Sequence, residues 1–436
     1  MILVQNRLRL LSGNKFLGVI LIPLLLISCG AFRKTSKVEW PADDVIVLNP
    51  DRGGDPSDNV DTTDKNEDKD EETLVYSNVF FKGDNFIVPR HKQNFNIAIL
   101  LPFHTDATNS ILDIRRSDLM LEYYQGVKIA IPEIEQLSSS YKLHFYDTDN
   151  DTSTLKLLLN KPEMATMDLI IGPTDEAQVR IAAYFARKKE IPLFSPITTT
   201  DKLWSNNPYV FNLNPSNQMQ AMQFLKWFKK AHNGEKLIIV RDGKRFDKGF
   251  GQALVDECIA QKIDFSKIAF SRYMNWNDFL SAGKNVVVNT SQDKTNMNSA
   301  VTGLLSQSDR VTLVGPEDWM SFTSVDFNQL ERLKITYIST NKANVPNKFT
   351  TQVTENYRSN YKDDPSWYTY MGHDQVLFAC EVLDAFGKYF PLFIEGKSIP
   401  YANTNIKLTK TTTCFQNKYM QLFELREMEL RSIKID

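Results

Sequence analysis

The chain has 436 residues, with 51 basic and 53 acidic side chains and a formal charge of -2 at pH 7. So small a charge argues against a nucleic-acid-binding protein, because a phosphate backbone requires an extended basic surface. Hydrophobic residues make up 42% and aromatic residues 11% of the chain, which is typical of a globular protein rather than of a wholly disordered or multi-span membrane chain.

The N-terminus has the pattern of a secretory signal: a basic head is followed by a 12-residue apolar run from Phe16 to Ile27. That run is too short to span a bilayer comfortably. The order Leu26-Ile27-Ser28-Cys29 resembles a bacterial lipobox, which implies a lipoprotein signal peptide over residues 1–28 and palmitate-type acylation of Cys29. A plain secretory signal that happens to contain a cysteine is the alternative.

Cys29 is followed directly by Gly30-Ala31-Phe32-Arg33, with no aspartate next to the cysteine, which resembles lipoproteins sent to the outer membrane. We therefore expect a lipid anchor in that membrane, with the protein on its periplasmic face.

Between Asp51 and Glu72 there are ten acidic residues against three basic ones, a net charge of -7. Such a run buries too little apolar surface to offset its ordering entropy. Residues 29–73 are thus predicted to be a lipidated N-terminus followed by an acidic, disordered tether.

From Asn94 onward, short apolar runs rich in β-branched residues alternate with amphipathic helical patterns. This alternation predicts parallel sheets with crossover helices, an α/β fold. In the first helical pattern Gly126 interrupts the apolar face, which we attribute to close packing of the helix on the sheet. The predicted strands are Ile97–Leu101, Leu143–Tyr146, Met167–Pro173, Ile191–Pro196, Leu237–Val240, Val286–Val288, Val311–Val314 and Ile335–Ile338.

Six short motifs occur in order between residues 94 and 436, and together they resemble the type I periplasmic binding proteins of the leucine/isoleucine/valine group. The motifs are Tyr124-Gln125-Gly126-Val127, Ile171-Gly172-Pro173, Ser195-Pro196-Ile197-Thr198-Thr199, Pro208-Tyr209-Val210-Phe211, Gly315-Pro316-Glu317 and Tyr370-Met371-Gly372-His373-Asp374. The outer-membrane lipoproteins that activate peptidoglycan synthases have a similar fold.

The resemblance implies two Rossmann-like lobes joined by three crossings, which we place near residues 215, 343 and 396. Lobe 1 would comprise 74–214 plus 344–395, and lobe 2 would comprise 215–343 plus 396–436. A ligand would be clamped in the cleft between the lobes, where the carboxyl ends of the strands meet.

The same resemblance implies which residues contact the ligand. Ser195, Thr198 and Thr199 form the turn that supplies a threonine in family members, and Glu317 occupies the position of the acid that pairs with a ligand ammonium. Asp175 or Glu176 falls where family members place a serine that holds the ligand carboxylate. Phe246 replaces a tyrosine in the second-lobe loop, and Trp319 could stack on a ligand.

Some of these residues have structural alternatives. Thr199 is also placed to cap a helix, Asp175 to be the N-cap of the helix that follows it, and Trp319 to fill the wall of a lobe. The five histidines are scattered and have no carboxylate or cysteine at ligand spacing, so we expect no metal and no cofactor. Three cysteines follow Cys29 in the chain: Cys258, Cys380 and Cys414. Because an odd number cannot all pair in disulfides within the chain, at least one is a free thiol, or all three are buried thiols.

Two functions follow from this interpretation of the sequence, and neither is enzymatic. The first is a membrane-anchored receptor that binds an amino-acid-like or cationic small molecule in the interlobe cleft. The second is a regulatory or scaffold lipoprotein that has lost its ligand and acts through an envelope protein partner. A fold alone does not decide between them.

Overall fold

The computed structural model describes residues 44–50, 75–104, 111–200, 206–322, 326–342 and 347–435. They belong to one compact unit, Trp40–Asp436. The predicted signal peptide, Cys29 and the acidic run Asp51–Glu72 lie outside the described residues. Among the residues it describes, no helix is long and apolar enough to cross a membrane.

The strands, in chain order, are β1 (Val45–Leu48), β2 (Tyr76–Phe81), β3 (Asp84–Pro89), β4 (Asn94–Leu101), β5 (Ser140–Asp147), β6 (Leu169–Ile171), β7 (Leu193–Ser195), β8 (Val210–Asn212), β9 (Lys236–Arg241), β10 (Phe265–Ala269), β11 (Asn285–Asn289), β12 (Val311–Pro316), β13 (Thr336–Ser339), β14 (Ile399–Pro400), β15 (Asn405–Ile406), β16 (Leu408–Lys410), β17 (Phe415–Asn417), β18 (Gln421–Arg426) and β19 (Glu429–Ile433).

The α-helices are α1 (Ile111–Ile134), α2 (Thr152–Leu159), α3 (Glu176–Lys189), α4 (Asn217–Ala231), α5 (Gln252–Ala260), α6 (Lys294–Leu304), α7 (Phe327–Arg332), α8 (Lys348–Tyr361), α9 (Trp367–Phe386) and α10 (Phe390–Ile394). Short 3-10 turns, among them Glu317–Ser321, and a π-helical turn at Asp247–Gly251 connect several of these elements.

The first lobe is built on an eight-stranded sheet with the order β1-β5-β4-β6-β7-β8-β17-β16. Strands β4 to β8 and β17 run parallel, while β1 and β16 pair antiparallel at the two edges. Side chains of β4 alternate between two cores: Ile97 and Ile99 pack with α1 and α9, and Ala98 and Leu100 pack with α2 and α3. Both faces of the sheet are therefore covered, which explains why its strands are continuously apolar.

The second lobe repeats this arrangement on a seven-stranded sheet with the order β10-β9-β11-β12-β13-β18-β19. Val286 and Val288 of β11 face the core formed with α4 and α5, and Val287 faces the core formed with α6. Strands β18 and β19 form an antiparallel hairpin that extends the sheet beyond β13. The predicted fold class, α/β with two Rossmann-like lobes, is confirmed.

The chain crosses between the two sheets at three places. It leaves the first sheet after β8, returns after β13, and crosses finally between β17 and β18. The resemblance implies that this last crossing lies near residue 396, and that position is wrong. Residues 408–417 form β16 and β17, which extend the first sheet because Phe415 of β17 pairs in parallel with Phe211 of β8. The third crossing is therefore the short segment 418–420.

The predicted tether also differs from the structure in one place. Val45–Leu48 lies within the range 29–73, yet it forms β1 and pairs with β5 from Val45 opposite His144 to Leu48 opposite Tyr141. Only Leu48 of this strand is buried. Four residues with a single buried side chain give a weak sequence signal, whereas the open edge of β5 supplies the hydrogen-bond partners.

Helices α1 and α9 pack so closely that glycine is required at their contact. A Cβ atom on Gly126 would lie 1.9 Å from the carbonyl oxygen of Thr369, and one on Gly372 would lie 2.0 Å from that of Tyr123. Each glycine thus lies against the backbone of the opposite helix. The close packing predicted for Gly126 is present, but its partner is a second helix rather than the sheet.

Three cysteines lie within the described residues, and all three are buried and form no disulfide there: Cys258, Cys380 and Cys414. Burial raises the pKa of the Cys258 thiol to about 12, so it remains protonated at neutral pH. Within the same described ranges, no group of three or more histidine, cysteine, aspartate or glutamate side chains is arranged to hold a metal ion.

Candidate functional site

A cleft of about 650 Å³ lies between the two lobes. Most of its lining follows the carboxyl ends of strands: Thr199 follows β7, Glu317 follows β12, and Ser339 ends β13. Parallel strands bring their carboxyl ends to one edge of a sheet, and here those edges of both sheets contribute to the cleft. Six side-chain amides line it: Asn214, Asn217, Gln220, Gln292, Asn341 and Asn403.

Glu317 is the acid of this cleft. Its Oε1 atom accepts a hydrogen bond from Asn341 Nδ2 at 2.7 Å, and its Oε2 atom accepts one from the hydroxyl of Ser339. Burial raises the pKa of the Glu317 carboxyl above its ordinary value, although these two hydrogen bonds offset part of the rise and neighbouring Asp318 adds to it. The carboxylate is therefore a poorly hydrated negative charge that a cation would stabilise.

Asn341 connects Glu317 to the first lobe. It lies just after β13, at the second crossing, and its Oδ1 atom accepts hydrogen bonds from Trp367 Nε1 and from Asn403 Nδ2, the latter at 2.9 Å. Trp367 begins α9, and Asn403 follows β14. One amide side chain thus bridges the acid of the second lobe and two residues of the first.

A buried ionic cluster fixes the loop that carries Asn403. Asp374 of α9 accepts hydrogen bonds from the backbone N–H of Ala402 at 3.1 Å and of Asn403 at 2.8 Å. His373 contacts Asp374 at 3.0 Å through Nδ1 and Glu133 at 3.1 Å through Nε2. Burial lowers the pKa of His373, but the hydrogen bonds and charges of Asp374 and Glu133 outweigh it and raise the pKa to about 9.

Of the three residues expected in the Ser-Pro-x-x-Thr turn, only Thr199 lines the cleft among the described residues. Its carbonyl oxygen also accepts a hydrogen bond from the backbone N–H of Asn217 at 2.8 Å, at the start of α4. Ser195 and Thr198 are buried, and the Ser195 hydroxyl donates to Thr198 Oγ1 at 2.8 Å. These two residues hold the turn together, and their predicted contact with ligand is not seen in the cleft lining.

Asp175 is the N-cap of α3, the structural alternative considered from the sequence. Its Oδ1 atom accepts hydrogen bonds from the N–H groups of Ala177 at 2.9 Å and Gln178 at 3.3 Å. Glu176, the next residue, is exposed. Neither carboxylate is among the described residues that line the cleft.

Phe246 lines the second-lobe side of the cleft, as the sequence predicts. Its ring stacks on that of Phe250 at 5.2 Å between centroids. The loop before it is held by buried Asp247, which accepts hydrogen bonds from the backbone N–H of Gly243 and the hydroxyl of Thr290, each at 2.8 Å. Phe246 therefore offers an apolar ring, without a hydroxyl, at the position for which the resemblance implies a tyrosine.

Trp319 is not a ligand contact, and its inclusion among the binding residues is wrong. Only 1% of its surface is exposed, and its Nε1 atom donates to the carbonyl oxygen of Ser291 at 2.7 Å. The ring lies against Gly315, where a Cβ atom would approach it to 2.4 Å. Trp319 thus fills the core of the second lobe, the alternative role considered for it.

The sequence does not identify several residues of the cleft, above all Asn341, Asn403 and Trp367. Asn341 and Asn403 follow strands that end in loops, where amides are common turn residues and carry no periodic signal. Trp367 begins a helix and resembles an ordinary apolar helix residue. Tyr370, by contrast, belongs to a motif that carries the resemblance. It lines the cleft, and its hydroxyl lies 2.6 Å from Thr354 Oγ1.

Comparison with known proteins agrees with this architecture. Residues 142–279 match the model of a family described as periplasmic binding protein. No curated protein sequence matches the chain.

Three solved structures illustrate the similarity, and the chain aligns with each over 78% of its length. A putative branched-chain amino acid ABC transporter from Rhodospirillum rubrum has a TM-score of 0.58, with 9% identity and 100% of its own chain covered. A branched chain amino acid ABC transporter periplasmic ligand-binding protein from Burkholderia xenovorans LB400 has a TM-score of 0.55, with 11% identity and 94% covered. An ABC transporter substrate-binding protein from Desulfitobacterium hafniense in complex with Leu has a TM-score of 0.51, with 16% identity and 100% covered.

Proposed function

Because the chain has the type I periplasmic-binding-protein fold, we propose that it is a ligand-binding receptor of the cell envelope rather than an enzyme. The receptor clamps an amino-acid-like or cationic small molecule between its two lobes. Structures of similar fold include one described with leucine bound and others described as branched-chain amino acid transport proteins.

The observation that carries this proposal is the environment of Glu317. The Glu317 carboxylate lines the cleft, is poorly hydrated and accepts hydrogen bonds from two neutral donors. A ligand ammonium group would stabilise its negative charge more than a neutral group would. Thr199 and the amides of Asn214 and Asn217 then supply neutral hydrogen-bonding groups around the rest of the ligand.

The proposal includes a lipid on Cys29 that holds the receptor at the outer membrane, facing the periplasm. Its support is the order of residues in the N-terminal signal. Two or more acyl chains would make attachment effectively permanent, because each buried CH₂ group contributes about 0.8 kcal/mol.

Calorimetry with leucine, ornithine, putrescine and 3-methylbutylamine tests the receptor function. We expect at least one of these to bind the wild type with a Kd below about 1 mM, and Glu317→Gln to weaken that binding at least about a hundredfold. Glu355→Gln, on the exposed side of α8, is the matched control and should bind like the wild type. If none of the four binds and crosslinking recovers an envelope protein, the scaffold function replaces this one.

A further inference from the structure

The start of α3, where the resemblance implies a contact with a ligand carboxylate, is capped by the protein itself, and Asp175 and Glu176 are not among the described residues that line the cleft. Backbone N–H groups at a helix N-terminus attract anions. At α3 the N–H groups of Ala177 and Gln178 donate to the carboxylate of Asp175, and Glu176 adds a second negative charge beside it. A ligand carboxylate here would lack donors and meet two like charges.

The turn after β7 offers little compensation. The Ser195 hydroxyl donates to Thr198, and both residues are at least 95% buried, so their hydroxyl groups hydrogen bond within the protein. Thr199 remains as a neutral hydroxyl on the cleft. Neutral hydroxyl and side-chain amide donors are a weaker substitute for a positive charge in binding a carboxylate.

Among the described residues that line the cleft, none is a lysine or an arginine. Lys248 lines a neighbouring depression of about 400 Å³, together with Asp256 and Glu257. Arg245 is exposed, in the loop before Phe246, and its charge lowers the pKa of the Tyr368 hydroxyl against the larger effect of burial, which raises it. Both cations thus lie outside the cleft lining.

The cleft does contain groups that favour a cation. Glu317 and Asp318 contribute two carboxyl groups, and Phe246, Trp367 and Tyr370 are among the residues that line the same space. Aromatic faces attract ammonium groups through the negative potential of the ring. Carboxylates and aromatic side chains together, with no lysine or arginine among the described lining residues, are complementary to an amine and not to an acid.

We propose that the cleft selects organic amines that lack a carboxylate, and that it discriminates against the corresponding zwitterionic amino acids. This inference rests on the proposed receptor function and narrows its ligand class. Burying the carboxylate of an amino acid without a cationic partner would cost much of what its ammonium gains from Glu317, since an unpaired charge is poorly tolerated away from water. An amine of the same carbon skeleton keeps the favourable contact and avoids the cost.

Two pairs of molecules that differ by the carboxylate test the selectivity: putrescine with ornithine, and 3-methylbutylamine with leucine. In titration calorimetry, the wild type is expected to bind the amine of each pair more tightly than the amino acid. For at least one pair the Kd of the amine should be lower by about tenfold or more. The comparison needs no variant. Glu317→Gln should abolish the binding of the preferred amine, while Glu355→Gln should preserve it.

Each result decides the matter. If leucine or ornithine binds as tightly as its amine or more tightly, the selectivity is wrong while the receptor function stands. If no compound binds below about 1 mM, the receptor function and the selectivity both fail. If the amine is preferred but Glu317→Gln binds it like the wild type, the preference does not come from this cleft and the inference is overturned.

Discussion

The side-chain amide of Asn341 donates a hydrogen bond to the carboxylate of Glu317 over 2.7 Å. The same amide accepts hydrogen bonds from Trp367 and Asn403 of the other lobe. The acid that we expect to bind the ligand is therefore linked directly to the crossing between the lobes. Occupation of Glu317 by a ligand would act on the residues that join the two halves of the cleft.

Replacing Asn341 with alanine should destabilise the ligand-free protein by about 1–3 kcal/mol, because it removes hydrogen-bond partners from Glu317, Trp367 and Asn403. Urea denaturation followed by tryptophan fluorescence measures the change. Asn356→Ala, at an exposed position of α8, is the control. Equal stability of the two variants would contradict a structural role for the network.

The ionisation of Glu317 should have opposite effects on stability and on binding. Its pKa is raised by burial, so the folded state binds the carboxyl proton more tightly than the unfolded state does. The stability that this carboxyl contributes is therefore lost as the pH rises from its ordinary pKa, which applies to the unfolded state, through its raised pKa in the folded state. Affinity for an amine should rise over the same range, because only the carboxylate pairs with it. Calorimetry and denaturation at several pH values test both, and Glu317→Gln should remove both trends.

The buried cluster around His373 should make the protein less stable in alkaline solution. The folded pKa of His373 is about 9 against an ordinary 6.5, so its contribution is complete below pH 6.5 and is lost as pH rises through 9. The loss is on the order of 3 kcal/mol. Half-buried Lys342, with a pKa lowered by desolvation to about 8, opposes this trend at its upper end. The test is thus the difference between wild type and His373→Gln in urea denaturation from pH 6 to 9, which should shrink with rising pH.

Substituting Gly126 with alanine should destabilise the protein by about 1–3 kcal/mol despite the better helix propensity of alanine. The new methyl group would meet the carbonyl oxygen of Thr369, and a backbone atom in a buried helix cannot move aside easily. Thermal unfolding measures the effect. Gly283→Ala is the control, since its methyl group would have no neighbour closer than 3.9 Å, and a similar loss in both variants would refute the helix-contact explanation.

Lipidation is tested by replacing the cysteine that would carry the lipid. Cys29→Ser should remain unlabelled when cells are grown with a fatty-acid analogue and should keep its signal peptide, because serine lacks the thiol that accepts the diacylglyceryl group. The wild type should take up the label. Equal labelling of the two proteins, or no labelling of the wild type, would be evidence against the anchor.

The sequence predicts the central strands well, because residues such as Ile97 and Val287 belong to continuous apolar runs that only a sheet covered on both faces explains. It fails where the structure depends on partners distant in the chain. Strands β16 and β17 have three residues each and take their place from pairing with β8, so the third crossing could not be located. Asn341 is identified only when three elements meet around it.

Among the individual site residues, too, the sequence predicts some positions correctly and others wrongly. Glu317 was found because a resemblance singled out the acid after a Gly-Pro pair, and the structure places it in the cleft. Trp319 lies two residues later and was grouped with it, but the 3-10 turn at Glu317–Ser321 directs the indole into the core. Adjacent positions in a tight turn face different directions, and sequence spacing alone does not reveal which one faces the ligand.

The three crossings have a practical consequence for dissecting the protein. Each sheet contains strands from separate stretches of the chain. Strand β17 belongs to the first sheet and β18 to the second, although only a few residues separate them. Cleavage of one peptide bond therefore cannot release either half. A protease that nicks the segment 418–420 would leave the fragment beginning with β18 held by its pairing with β13, its side-chain packing and a hydrogen bond from the Glu427 N–H to Glu331. Such a nicked protein should migrate as one particle under native conditions and as two polypeptides in denaturant.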